Sequence, residues 1–312
     1  MTGHPPKALA AYGALPGADR VVDLGDLGAW RPKLVASDLD GTLLDSAGEV
    51  SPRTRAALNA CWDAGIPVVG VTGRGPRLLD SVRVALDRRG IAVLAQGGFV
   101  VDLERDEVLR TVGLPRAQAA AVIERIEAVA GDLIVAVEDA AEQAESREPE
   151  DSPLRVQHGF NWPYPEPAHL LPRAEVLPQG AVLKVFLRSS TLGQDELLAR
   201  ARSVVDPADA EVTHAGLGFI EVLPPGITKA TGLAIALERY GVGFGDVLVF
   251  GDMPNDLPMI AAVKEAGGRA VAVANAHPAV RAAAPELTGG HDADGVARYL
   301  EALLFDGAPA DV

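Results

Sequence analysis

The sequence predicts an α/β protein, a doubly wound parallel sheet that carries an inserted α+β unit, and three observations lead there. Short apolar runs of strand length recur at Leu34 to Ala36, Ile66 to Val71, Ile91 to Ala95, Val247 to Phe250 and Ala270 to Val273. They end in small or polar residues and alternate with stretches of helical spacing, the grammar of a parallel sheet with crossover helices. From Phe99 to Leu223 that grammar changes to hairpin-like runs, separate helices and a proline-rich stretch, and it resumes at Pro224.

The totals bound the function. A chain of 312 residues with 48% hydrophobic content can bury one large or two medium cores. Acids outnumber bases 43 to 28, for a net charge of -15, which repels a nucleic-acid backbone and leaves no broad basic footprint. In such a chain a phosphate site needs a metal and a few placed cations. The lone cysteine, Cys61, excludes an intrachain disulfide and fits a reducing compartment. No apolar run approaches the roughly 18 to 20 residues of a membrane span. With no basic-then-apolar leader, the expectation is a soluble, cytoplasmic protein with no nucleic-acid or membrane partner. Oligomeric state is not readable.

Taken in order, residues 1–32 mix Gly, Pro and Ala without a sustained period and form an N-terminal extension that can dock through Trp30. The strand Leu34 to Ala36 runs into Asp38 and Asp40, and the chain turns at Gly41. Ser51 is a good N-cap with Pro52 at the first helical position; Leu58, Cys61 and Trp62 share a helical face, and Gly65 stops the helix. Cys61 is therefore core. The strand Ile66 to Val71 delivers Thr72, Gly73 and Arg74. A helix over Leu78 to Arg89 and a third strand, Ile91 to Ala95, lead to Gln96-Gly97-Gly98.

The inserted domain is expected over residues 99–223, between core segments 33–98 and 224–312. It opens with a hairpin of Val100 to Asp102 and Val108 to Val112, then a helix over Arg116 to Ala130 and a strand over Leu133 to Val137. Prolines at 149, 153, 163, 165, 167, 172 and 178 make Ala140 to Pro178 an irregular surface loop with short elements. A strand over Ala181 to Leu187, a helix over Gln194 to Val205 and strands at Ala210 to Thr213 and Gly218 to Val222 follow. Thr228-Lys229 then opens a helix that stops at Gly241, Val247 to Phe250 ends in Gly251 to Asp256, and Ala270 to Val273 reaches Asn275. Helices near Pro278 and around Tyr299 to Leu304 close the chain.

Chemistry collects at the strand ends. Parallel strands bring their carboxyl ends to one edge, so Asp38 and Asp40, Thr72 and Gly73, and Asp252, Asn255 and Asp256 can surround one ligand-sized volume. Lys229 adds charge at a helix N-terminus that already favours an anion. Carboxylates facing Thr, Lys and amides suit magnesium and phosphate together. Two acids one residue apart push their pKa values apart, which suits one nucleophile toward phosphorus and one general acid, with the choice between them open. A calcium loop starting at Asp38 fails because Leu39 to Leu44 breaks the alternation of oxygen ligands. The six histidines show no metal-ligand spacing.

The set DLDGT at Asp38 to Thr42, VTGR at Val71 to Arg74, TKATGL containing Lys229 and GDMPND at Gly251 to Asp256 resembles the four motifs of the haloacid dehalogenase superfamily. An insertion between the second and third motifs, with Ala274-Asn275-Ala276 as a late match, resembles its Cof-type, class IIB phosphatases. Gln96-Gly97-Gly98 departs from the Asn-Gly-Ala-like triplet usual there. The resemblance implies a Rossmann-like core with a cap and a magnesium-dependent phosphatase for a small phosphorylated metabolite, by default a sugar phosphate. It implies that Asp38 attacks phosphorus and ligates magnesium. Asp40 protonates the leaving oxygen, later deprotonates water and touches the metal through its carbonyl. Thr42, Thr72, Gly73, Arg74 and Asn255 contact phosphate or substrate, Lys229 neutralises phosphate, and Asp252 and Asp256 complete the metal site. A phosphomutase with the same motifs and a non-catalytic phosphometabolite sensor are the alternatives; the full set of catalytic side chains counts against the sensor.

Overall fold

A computed structural model of the chain describes residues 30–140, 152–163, 167–214 and 218–305. Most of the N-terminal extension expected over 1–32, and part of the proline-rich stretch, lie outside the described residues. Trp30 packs on the core, where the Arg269 guanidinium lies 5.6 Å from its ring centroid.

The first segment alternates as expected: β1 (Leu34–Ser37), α1 (Pro52–Asp63), β2 (Val68–Val71), α2 (Leu79–Ala85), β3 (Ile91–Leu94), then β4 (Phe99–Asp102) and β5 (Glu107–Thr111). Ser51 caps α1 by accepting the Thr54 amide, with Pro52 in the first turn. Helix α2 is shorter than the expected 78–89, because Asp87 and Arg88 take positive φ and turn the chain toward Gly90. The second segment holds α3 (Arg116–Ala130), β6 (Leu133–Asp139), β7 (Leu154–Gln157), β8 (His169–Leu171), β9 (Val182–Ser189), α4 (Gln194–Val204), β10 (Glu211–His214) and β11 (Ile220–Leu223). The chain returns through α5 (Lys229–Tyr240), β12 (Val247–Gly251), α6 (Leu257–Glu265), β13 (Arg269–Ala272), α7 (Pro278–Ala283), β14 (Glu286–Leu287) and α8 (Gly295–Phe305).

Two sheets result. The first has the order β14-β13-β12-β1-β2-β3-β4-β5, parallel from β14 to β3, with a buried core of Val, Leu, Ile and Ala from both faces. The hairpin expected to open the insertion instead belongs here: β4 pairs antiparallel with β3, β5 with β4, and Phe99, Val100 and Val101 are buried in the first core. The expected boundary at Phe99 is corrected to a point after β5. The reason is local, since the tight turn over Ala95 to Gly98 reverses the chain, and a short connection joins antiparallel neighbours only. The second sheet has the order β10-β11-β9-β6-β7-β8; β7 and β8 give regular structure to what reads as a loop. Residues of α3 and α4 share a core with Val135, Val137, Val185, Leu187, Ile220 and Val222, the alternate positions of β6, β9 and β11. The other positions, including Glu138, Lys184, Phe186, Phe219 and Glu221, lie on the opposite face.

Candidate active site

β12, β1 and β2 are neighbours, and their carboxyl ends lead into Asp252, Asp38 and Thr72. Chain order reverses across β1, so this edge is the crevice where open α/β sheets hold ligands. Helix α5 points its first turn at the same place. Thr228 caps it in a reciprocal box with Thr231, which makes Lys229 the first helical residue.

Lys229 is 1% exposed and donates from Nζ to Asp38 Oδ1 at 2.5 Å and to Asp256 Oδ1 at 2.6 Å. Asp256 is fixed from its other oxygen, which accepts the amides of Asp252 at 2.8 Å and Met253 at 2.9 Å. Asp252 accepts the Thr42 hydroxyl at 3.1 Å. The turn after Asp40 has to be glycine: Gly41 sits at φ +84°, and a Cβ there would meet Asp252 Oδ2 at 2.5 Å. Asn275 holds that turn in place, donating to the Gly41 carbonyl at 2.8 Å while accepting the His291 amide.

Burial pushes the Asp38 carboxyl up to about 7; the Lys229 charge opposes this, and the charges of Asp256 and Asp40 add to it. Burial likewise raises Asp252 well above the usual carboxylate range, reinforced by Asp38 and Asp256. For Lys229 burial favours the neutral amine, but the two carboxylates prevail and hold it charged. Three buried acids around one ammonium leave an excess of negative charge that a divalent cation can balance. Asp38, Asp252 and Asp256 each offer a carboxylate oxygen, all within 4.8 Å of one another, and an all-oxygen donor set suits magnesium. Asp256 is the most committed of the three, since both its oxygens already accept hydrogen bonds.

The remaining expected residues are placed as follows. The Asp40 carboxylate lies outside that cluster and is gripped in bidentate fashion by Arg74, Nε to Oδ2 at 2.9 Å and Nη2 to Oδ1 at 2.6 Å. Arg74, expected on substrate or phosphate, also donates to Ser81 Oγ. Thr42, expected on phosphate, spends its proton on Asp252. Thr72 is fully buried and accepts the Arg74 amide at 3.0 Å. Asn255 donates to Gln96 Oε1 at 3.1 Å, and its own buried Oδ1 has no hydrogen-bond partner among the described residues. Gly97 lets the Gln96 loop press on α5; with φ +111°, a Cβ there would stand 2.3 Å from the Thr228 carbonyl oxygen.

Sequence reasoning missed Lys184, Glu221, Glu138 and Arg77. Lys184 donates to the Gly73 carbonyl at 2.5 Å and to Glu221 Oε1 at 2.8 Å, while Glu221 Oε2 accepts from Gln96 at 2.8 Å. Arg77 pairs with Glu138 at 2.5 Å. The signal was a charge inside an apolar strand: Lys184 within Val182 to Leu187, and Glu221 within Ile220 to Leu223.

The model of the haloacid dehalogenase-like hydrolases matches residues 35–300. The chain is 25% identical over 288 residues to the 5-amino-6-(5-phospho-D-ribitylamino)uracil phosphatase YwtE of Bacillus subtilis strain 168, covering 87% of this chain and 98% of the relative. It is 28% identical over 274 residues to a phosphoglycolate phosphatase of Methanothermobacter thermautotrophicus, covering 87% and 99%. Among solved structures, SMU.1108c of Streptococcus mutans UA159 superposes with a TM-score of 0.71 at 22% identity, covering 88% and 99%, which speaks for the fold.

Proposed function

The chain belongs to the haloacid dehalogenase-like hydrolases, as its four motifs implied, and on that premise we propose that it is a magnesium-dependent phosphoric monoester hydrolase acting on a small phosphorylated metabolite through an aspartyl-phosphate. The observation that carries this reading is the buried Lys229 ammonium seated between Asp38 and Asp256, next to Asp252, at the ends of adjacent strands. We take a sugar or polyol phosphate as the default substrate and a cytoplasmic setting as the context. The second sheet with α3 and α4 serves as the cap that covers the reaction and excludes bulk water.

In this reading an Asp38 oxygen attacks phosphorus as the ester oxygen leaves, and Asp40 gives that oxygen its proton. Asp40 then takes a proton from water, whose oxygen attacks the aspartyl-phosphate, releasing inorganic phosphate and restoring Asp38. Arg74 occupies both Asp40 oxygens, so to deliver its proton the Asp40 carboxyl has to turn away from Arg74 toward the leaving oxygen. Thr72 and the Gly73 amide bind phosphate oxygens, and Lys229 orients Asp38 and offsets phosphate charge. Asp38 and Asp252, with the Asp40 carbonyl, would hold magnesium, which would screen the charge of the incoming phosphate. Asp256 serves first as the anchor of Lys229.

The test is phosphate release from phosphorylated sugars, polyols, nucleotides and cofactors, with and without magnesium, with Asp38→Asn as the blank. Release that needs both magnesium and Asp38 is expected. Undiminished turnover by Asp38→Asn would sink the nucleophile assignment, and an isomerised product in place of free phosphate would replace the hydrolase with a mutase.

A further inference from the structure

Three side chains of the second sheet reach across to the loops that follow β2 and β3. Lys184 of β9, 2% exposed, donates to the Gly73 carbonyl at 2.5 Å and to Glu221 of the adjacent β11 at 2.8 Å. Glu221 accepts from Gln96 at 2.8 Å, and Glu138 of β6 pairs with Arg77. Glycines admit these groups. A Cβ at Gly73 would stand 2.8 Å from Gln96 Nε2, and one at Gly75 would come within 1.9 Å of the Glu138 carboxylate.

The grip on Gly73 passes to Thr72 through one peptide. In a trans peptide the carbonyl and the following N–H point opposite ways. A Gly73 carbonyl held by Lys184 therefore directs the Arg74 N–H away from the second sheet, and that N–H donates to Thr72 Oγ1 at 3.0 Å. A hydroxyl oxygen that accepts there keeps its own proton for another partner, as a donor to a phosphate oxygen must. The Glu221 branch fixes polarity in the same way. A carboxylate paired with an ammonium only accepts, so Gln96 turns its amino group to Glu221 and its carbonyl to the Asn255 amino group at 3.1 Å. Asn255 is thereby oriented within the motif that carries Asp252 and Asp256.

We infer that Lys184 and Glu221 are positioning residues: acting through Gly73 and Gln96, they set the phosphate-binding loop, so that the site is complete only with the cap seated. This rests on the phosphatase reading and deepens it. Because both act through the loop, a defect in either falls on the phosphoryl group and is the same for every ester.

The test uses orthovanadate, a phosphate mimic without a leaving group, beside glycerol 3-phosphate and glucose 6-phosphate, all with magnesium. The double variant Lys184→Met with Glu221→Gln removes the grip without stranding a buried charge. Gln96→Met breaks the second branch and leaves the ion pair in place. Each is expected to lower kcat/KM by about tenfold or more, equally for both esters, and to raise the orthovanadate Ki by a similar factor. Lost packing alone lowers the urea midpoint and leaves both quantities per folded enzyme unchanged, which overturns the inference. So does a loss confined to one ester with the Ki unmoved, the mark of direct contact with the leaving group. Linkage gives a check in the wild type, since a seated cap that favours an anion on the loop must be favoured by that anion to the same degree. Orthovanadate should therefore slow hydrogen exchange by about fivefold or more at the two connections, Val112 to Leu114 and Leu223 to Ile227. Exchange unmoved there overturns the inference even where neither variant folds. Wild-type protein that hydrolyses no ester overturns the phosphatase reading instead, a distinct result.

Discussion

Lys229 and Asp38 stand 191 positions apart in the chain, yet the lysine ammonium is seated 2.5 Å from the Asp38 carboxylate, with both side chains buried. Lys229 is the only protein cation hydrogen-bonded to the buried acid cluster among the described residues, so its removal should be felt twice. Lys229→Met is expected to lower turnover by about 100- to 1000-fold, the usual cost of losing one placed charge donor. It should also cost about 3 to 5 kcal/mol in urea unfolding, because it strands buried carboxylates. A variant with near-wild-type turnover would remove Lys229 from the chemistry.

Magnesium should bind the folded protein and stabilise it irrespective of turnover. At about 100 times its dissociation constant the gain is about 2.7 kcal/mol, visible as a rise in Tm, and a chelator should reverse it. Asp252→Asn is expected to abolish that rise. A rise of equal size in the variant would place the ion elsewhere.

A separate carboxylate, Asp102 at the end of β4, contributes to acid stability. Burial opposes ionisation of Asp102, but the Arg105 side chain at 2.7 Å and the amides of Arg105 and Glu104 outweigh it and hold the carboxyl below its ordinary value. A folded pKa below the unfolded one means stability that is present above the unfolded value of about 3.9 and lost as pH falls through the folded value. Asp102→Asn should thus cost about 1 to 3 kcal/mol at pH 7, with the gap to wild type closing in denaturant melts below about pH 4. A gap that stayed constant with pH would show that ionisation of Asp102 is irrelevant.

Gly97→Ala is expected to damage both fold and activity. The new methyl would collide with the Thr228 carbonyl at the start of α5 and displace Lys229 from Asp38. A loss of about 1 to 3 kcal/mol with a drop in kcat larger than any change in KM is the expected pattern. Unchanged kcat in a folded variant would mean that α5 tolerates the shift.

The sequence by itself determined the parallel sheet and its acidic edge. Apolar runs of strand length ending in Asp38, Thr72 and Asp252, joined by crossover helices, run parallel, and parallel strands gather their carboxyl ends at one edge. Lys229 was legible for the same reason, since Thr228 marks a helix start. Only the tertiary structure decided which partner each polar atom takes: Asp256 with Lys229, Arg74 with Asp40, Thr42 with Asp252, and Lys184 with both Gly73 and Glu221. It also decided that the hairpin Phe99 to Thr111 continues the first sheet. Periodicity reports which way a residue faces along its own element. These pairings join positions tens to hundreds of residues apart, where strand register and sheet order, absent from any local pattern, set the distances.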